Sequence, residues 1–196
     1  GWVAEAYGLR PEPFYMGIAF AAAGLGLTLL FVDETKHHAD LEAREFRPGA
    51  GSAPAPADGG AMGTAEVLAR ASWRDPALST ASHAGMVNNL NDGLAWGLFP
   101  LFFAAGGLSV GQIGVLSFLY PAVWGVLQLW TGALSDRWGR KRLIAGGMLV
   151  QGLALAGIAG GDGFAVWAAG AVVLGAGTAM VYPTLLASIG DVAHPT

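Results

Sequence analysis

Cysteine is absent from the 196-residue chain. That excludes a disulfide framework, a thiolate metal site and a cysteine nucleophile. Charge is scarce as well. Asp, Glu, Lys and Arg make up 12% of the residues, where a soluble domain carries roughly 25%. With 54% hydrophobic residues and a positive mean hydropathy, this excludes an ordinary soluble fold and points to a bilayer protein. Spanning strands would alternate over about ten residues, and that pattern is missing, so the expected fold class is an all-α multi-pass membrane protein. The net charge of -4 says little, because the charges are segregated. No basic segment leads into a short apolar run with a cleavage site, so no signal peptide is read. The first residue is Gly1, and the chain reads as a fragment cut at both ends.

Long apolar runs take the place of charge. Five stand out, at Phe14–Val32, Gly85–Ala105, Ile113–Gly132, Leu143–Gly160 and Phe164–Leu186. Each approaches the roughly 20 helical residues that cross a hydrocarbon core. The 31 glycines suit closely packed membrane helices, and glycine-rich turns at 104–112 and 159–164 separate some of the runs. The segment 33–82 between the first two runs is polar. Its centre, "RPGAGSAPAPADGGAMG", has the composition of a flexible linker, and "TAEVLARASWRDPALS" predicts a short interfacial helix with Trp73 at the headgroup level.

Basic residues set the expected orientation. Lys36, Arg44, Arg47, Arg70, Arg74, Arg137, Arg140, Lys141 and Arg142 fall on one side of a five-span topology, and only Arg10 falls on the other. The positive-inside rule makes the first side cytoplasmic. The expected location is the cell membrane, and specifically a bacterial inner membrane.

One charged residue, Asp92, interrupts the sequence between Asp75 and Asp136. If the helix enters the membrane near Ser82, Asp92 lies about 15 Å deep, close to mid-bilayer. An ionised Asp there costs about 2.5–3.5 kcal/mol, so it must face a cavity or a partner, or carry a proton. Asn88, Asn91 and Trp96 fall on a similar helical face and form with Asp92 a polar stripe ended by an aromatic ring. This stripe is the expected substrate or proton pathway; the competing reading is an interhelical hydrogen-bond cluster that only fixes packing. Gln128 and Tyr182 are the further candidates for a central cavity, while Trp124 and Trp130 read as packing or interface residues. Pro121 and Pro183 are expected to kink their helices.

The segment "GALSDRWGRKR", Gly132 to Arg142, holds five charged side chains between two apolar runs. Read bottom-up, Gly132 allows close backbone approach, and Asp136 sits just before the next helix, where its dipole favours a carboxylate. Asp136 also has the reach to pair with a basic residue on a neighbouring helix. Gly139 permits a tight turn, and Arg140, Lys141 and Arg142 face the cytoplasm and anionic headgroups. Topology anchoring alone would account for the three basic residues but not for Asp136 or the glycines.

Gly132, Asp136, Arg137, Gly139, Arg140, Lys141 and Arg142 match every defined position of G-x-x-x-D-R/K-x-G-R-R/K-R/K. The chain therefore resembles the major facilitator superfamily, whose loop motif this is. In that family the motif joins the second and third helices, and a second copy joins the eighth and ninth. Three apolar runs precede it here, and a long linker follows the first of them. The resemblance implies helix six at 1–32, the central cytoplasmic loop at 33–82, and helices seven to ten, the start of the carboxy-terminal half, at 83–196. The other helices would be missing, with Gly1 and Trp2 as the tail of the fifth. "LGAGTAMVYPTLLASIGDV" resembles the glycine-rich, proline-kinked helix ten. The arginine common in helix four is missing near Ala171 and Val173. The resemblance implies a secondary transporter working by alternating access, with the motif as a conformational gate. Its expected partners are the lipid bilayer, protons, a small-molecule substrate and the missing helices.

Enzymatic activity, cofactors and nucleic acid find no support in the sequence. "LGAGT" lies inside an apolar helix without the strand–helix unit or the Lys-Ser/Thr of a nucleotide loop. His37 and His38, among Asp33, Glu34, Asp40 and Glu42, read as a solvated loop rather than a metal site, and His83 reads as interfacial. The expected function is proton-coupled efflux of a small solute. The alternative is a membrane sensor or scaffold that reuses the fold and moves nothing.

Overall fold

The computed structural model of the chain describes residues 2–8, 10–31 and 63–192. The region with His37 and His38, and most of the expected linker, lie outside the described residues. Among the described residues every regular element is helical. In chain order they are α1 (Trp2–Tyr7), α2 (Glu12–Phe31), α3 (Thr64–Ala69), α4 (Pro76–Gly93), α5 (Phe99–Ala105), α6 (Val110–Trp138), α7 (Arg140–Gly160) and α8 (Phe164–Val192). Two π-helical turns, Arg70–Arg74 and Leu94–Leu98, extend α3 and join α4 to α5.

Local chemistry explains the helix ends. Asp75 caps α4, accepting the Ala77 and Leu78 N–H groups at 2.9 and 3.0 Å, and Pro76 takes the first helical position, where no N–H is needed. Ser109 opens α6 with a capping box: its Oγ accepts the Gln112 N–H, and Gln112 Oε1 accepts the Ser109 N–H. Ahead of α4, Glu66 accepts hydrogen bonds from Arg70 and Arg74, and the Arg70 bond holds its carboxyl below the usual range. The segment around Trp73 is helical, as its sequence predicts, and Trp73 is exposed.

Among the described residues four helices are long and apolar enough to cross a membrane: α2, α6, α7 and Phe164–Asp191 of α8. The expected span at 85–105 takes a different form. Its helix starts earlier, at Pro76, and its path continues through α4, the π turn and α5. Pro100 gives the reason. It has no N–H, and its ring would crowd the Trp96 carbonyl of an ideal helix. The π turn, closed by the Phe99 N–H on the Leu94 carbonyl, takes up that misfit.

At the centre of the bundle, α8 packs against α4, α6 and α7. Glycines on different faces of α8 make this possible. A Cβ on Gly177 would lie 2.9 Å from the Gly147 carbonyl of α7 and 3.0 Å from the Gln151 nitrogen. A Cβ on Gly175 would lie 2.6 Å from the Tyr120 carbonyl of α6. Backbone thus meets backbone on both sides, the small-residue packing that membrane helices use in place of a solvent-driven core. Toward the Gly106 end, Phe103, Leu116, Ile158 and Trp167 form one buried cluster, and the Trp167 indole N–H donates to the Ile158 carbonyl at 3.1 Å. In contrast, α2 buries no residue and packs against α1.

Gly177→Ala is expected to destabilise the protein by about 1–3 kcal/mol, because two of its three nearest neighbours are backbone atoms that cannot swing aside. This outweighs the gain of up to about 1 kcal/mol in helix propensity. Gly132→Ala, with no atom within 4 Å of its Cβ position, is expected to lose no stability. Thermal unfolding of the detergent-held protein separates the two.

Candidate functional site

The polar residues of α4 bond to α6 and α7, and through these to α8. Gln151 of α7 is the hub. Its Oε1 accepts the Asn91 amide at 2.5 Å, and its Nε2 donates to Asn88 Oδ1 at 2.8 Å and to Thr178 Oγ1 of α8 at 3.3 Å. Thr178 Oγ1 also lies 3.2 Å from the Tyr120 hydroxyl of α6, which donates to Asp92 Oδ1. Asn88, Gln151 and Thr178 are at most 1% exposed. Thr178 stands at the middle of α8 and Gln151 near the middle of α7, so the network lies halfway along the bundle.

Proton bookkeeping gives the network a direction. A hydroxyl has one proton to donate. The Tyr120 proton goes to Asp92, so the Tyr120–Thr178 contact is made by the Thr178 proton. Thr178 in turn accepts from the Gln151 amide. The chain therefore runs from Gln151 through Thr178 and Tyr120 to the Asp92 carboxylate, with every donor pointing toward the acid.

The structure brings Asn88, Asn91 and Asp92 together, as the stripe predicts, but divides their tasks. The two asparagines are spent on Gln151, while Asp92, half-buried, faces Tyr120. Trp96 is exposed and sets its ring edge against Tyr120, with centroids 6.3 Å apart. Tyr182 stands apart from the hydrogen-bonded network, although its ring meets Trp124 edge-on at 5.6 Å and Trp124 stacks on Tyr120 at 6.4 Å. Gln128 does not join. It is exposed, eight residues after Tyr120 and so about 80° round the helix from it.

Sequence reasoning missed Tyr120, Gln151 and Thr178. Gln151 carried a legible signal, as a lone amide within the apolar run of α7.

A second cluster ties the helix ends. Gly139, with φ at +90°, is the only residue between α6 and α7, the tight turn that its position in the motif predicts. Arg140 pairs with Asp136 at 2.7 Å and, through Nε, with Asp191 of α8 at 3.0 Å, and its Nη1 donates to buried Ser135 at 2.5 Å. Arg137, Lys141 and Arg142 are exposed. Two expectations need correction. Asp136 lies in the last turn of α6 rather than ahead of the next helix, so the nearby dipole end is negative and Arg140 supplies the compensation. Gly132 makes no close approach among the described residues; Thr131 faces α8 instead and donates to the Ala179 carbonyl at 2.6 Å. Asp191 went unnoticed because the last helix was expected to end at Leu186, whereas it continues to Val192.

A family model described as Major Facilitator Superfamily matches residues 81–196, a span that contains both clusters. No match is found among curated proteins or solved structures.

Gln151→Leu would strip three partners at once from a buried site, so it is expected to destabilise by about 1–3 kcal/mol. Gln128→Leu is expected to change stability by less than about 0.5 kcal/mol. Equal effects of the two substitutions on the unfolding midpoint would mean that the network does not hold the helices together.

Proposed function

The chain belongs to the major facilitator superfamily of membrane transporters, and from that premise we propose that it is part of a proton-coupled exporter of a small solute. The supporting observation is the one-way hydrogen-bond chain that ends on Asp92. In this reading Asp92 is the proton-binding group. Ionised, it holds the Tyr120 proton. Once protonated, it can donate back, and Tyr120 must then turn its own proton toward Thr178. Thr178 can accept from both Tyr120 and Gln151 only by sending its proton elsewhere. Proton uptake thus reverses two hydroxyls that join α4, α6 and α8, which is how a single charge can bias two arrangements of a bundle.

The Arg140 cluster supplies the gate in this reading. Arg140 locks the ends of α6, α7 and α8 into one unit, so they move as a body against the other half of the transporter. Asp136 uses Oδ1 on Arg140, and its side chain is 65% exposed. The remaining oxygen is available to a group of the opposite half when that end closes. In this reading the basic residues turn this end toward the cytoplasm, and the membrane is a bacterial cell membrane.

The test uses the intact protein in proteoliposomes, a broad panel of toxic compounds and an imposed pH gradient. The expected result is gradient-driven movement of at least one compound by the wild type, and at least a tenfold loss with Asp92→Asn. A variant that transports as well as wild type, with the same pH dependence, would move the coupling group elsewhere.

A further inference from the structure

Just ahead of α4, the helical stretch from Thr64 to Arg74 carries its charged side chains in one line. Glu66 accepts from Arg70 Nε at 3.0 Å and from Arg74 Nη1 at 2.5 Å. In an unbroken α-helix Arg74, eight residues after Glu66, would stand about 80° round from it; the wider π turn at Arg70–Arg74 brings it back into line. Away from this stripe the stretch is apolar. Val67, Leu68 and Trp73 are 44%, 60% and 79% exposed, so the described residues leave them largely uncovered.

Depth and charge identify what meets this surface. From Asp92 back to Asp75 the helix rises about 25 Å, at about 1.5 Å per residue. Half a hydrocarbon core is about 15 Å, and headgroups reach to about 20–22 Å. With Asp92 at mid-bilayer, a helix of ordinary tilt brings Asp75 and the stretch before it to the headgroups. One carboxylate there faces two guanidiniums, which leaves one positive charge. Glu66 takes a single N–H from each arginine, of the five that a guanidinium carries. The two side chains are 51% and 66% exposed, so the remaining donors are open to the surroundings while the acid holds the pair side by side. Paired guanidinium forks suit a phosphate diester. A zwitterionic lipid would bring its own cation against them, whereas an anionic lipid brings none.

We propose that Arg70 and Arg74, with Trp73 beside them and Glu66 between them, form a seat for an anionic phospholipid, whose phosphate lies on the two arginines. The seat fastens the start of α4 to the membrane surface, because Asp75, the next residue, caps that helix. It does not depend on the coupling reading above.

The test uses the intact protein in phosphatidylcholine vesicles holding one part in five of phosphatidylglycerol, with one lipid or the other brominated. Quenching of Trp73 is read as the difference between wild type and Trp73→Phe. Per molecule of lipid, brominated phosphatidylglycerol is expected to quench Trp73 at least threefold more than brominated phosphatidylcholine. The preference should vanish in Arg70→Gln/Arg74→Gln at an unchanged unfolding temperature, and grow in Glu66→Gln, which frees both arginines. Equal quenching by the two lipids in the wild type would overturn the proposal, as would a preference that survives in the double variant. Quenching by neither lipid would mean that protein covers Trp73, and would overturn it too. So would loss of the preference on adding inorganic phosphate but not chloride of equal ionic strength, which would make this a site for free anions.

Discussion

Everything in this bundle depends on how closely α8 can approach its neighbours. Gly175 and Gly177 bring it to backbone contact with α6 on one side and α7 on the other. Thr178, the next residue, is thereby carried into hydrogen-bond range of Tyr120 and Gln151 together. One added methyl group would push the helices apart by more than a hydrogen bond tolerates. The glycines therefore set the polar chemistry as well as the packing, although they contribute no functional atom.

The two clusters divide the molecule's electrostatics by depth. At the centre a single acid stands among neutral amides and hydroxyls, where an unpaired charge would be expensive and dipoles are worth most. At the helix ends charge is abundant, and Arg140 with its two acids is partly solvated, so that the pairs are individually weak and easily exchanged. A strong, buried network suits something that must keep its geometry. A weak, wet one suits something that must open and close.

Much of this was legible in the sequence, and the rest was hidden for a definable reason. The apolar runs, the turn at Gly139 and the isolated Asp92 are local patterns, read along one helix at a time. The partners of the α4 residues lie far away along the chain: Asn91 and Gln151 are 60 residues apart. Gln128 and Gln151 look alike in sequence, each a lone amide in an apolar helix. Which of them turns inward depends on the rotation of α6 and α7 about the glycines of α8, and single-helix periodicity does not contain that rotation. The early start of α4 was missed for a simpler reason. Asp75 and Pro76 form an N-cap signal, but they fall inside the stretch that reads as a short interfacial helix.

The π turn at Leu94–Leu98 also separates two faces of one helical path. On one side of it α4 carries the polar face of Asn88, Asn91 and Asp92; on the other α5 carries Phe103, sealed against Trp167 with ring centroids 5.1 Å apart. An ideal helix would phase these two faces rigidly, so that a change in one would misalign the other. The looser turn lets each keep its own angle. Substitutions that retune the polar face can then accumulate while the aromatic anchor stays as it is, and a lineage can change what it handles without having to rebuild how it folds.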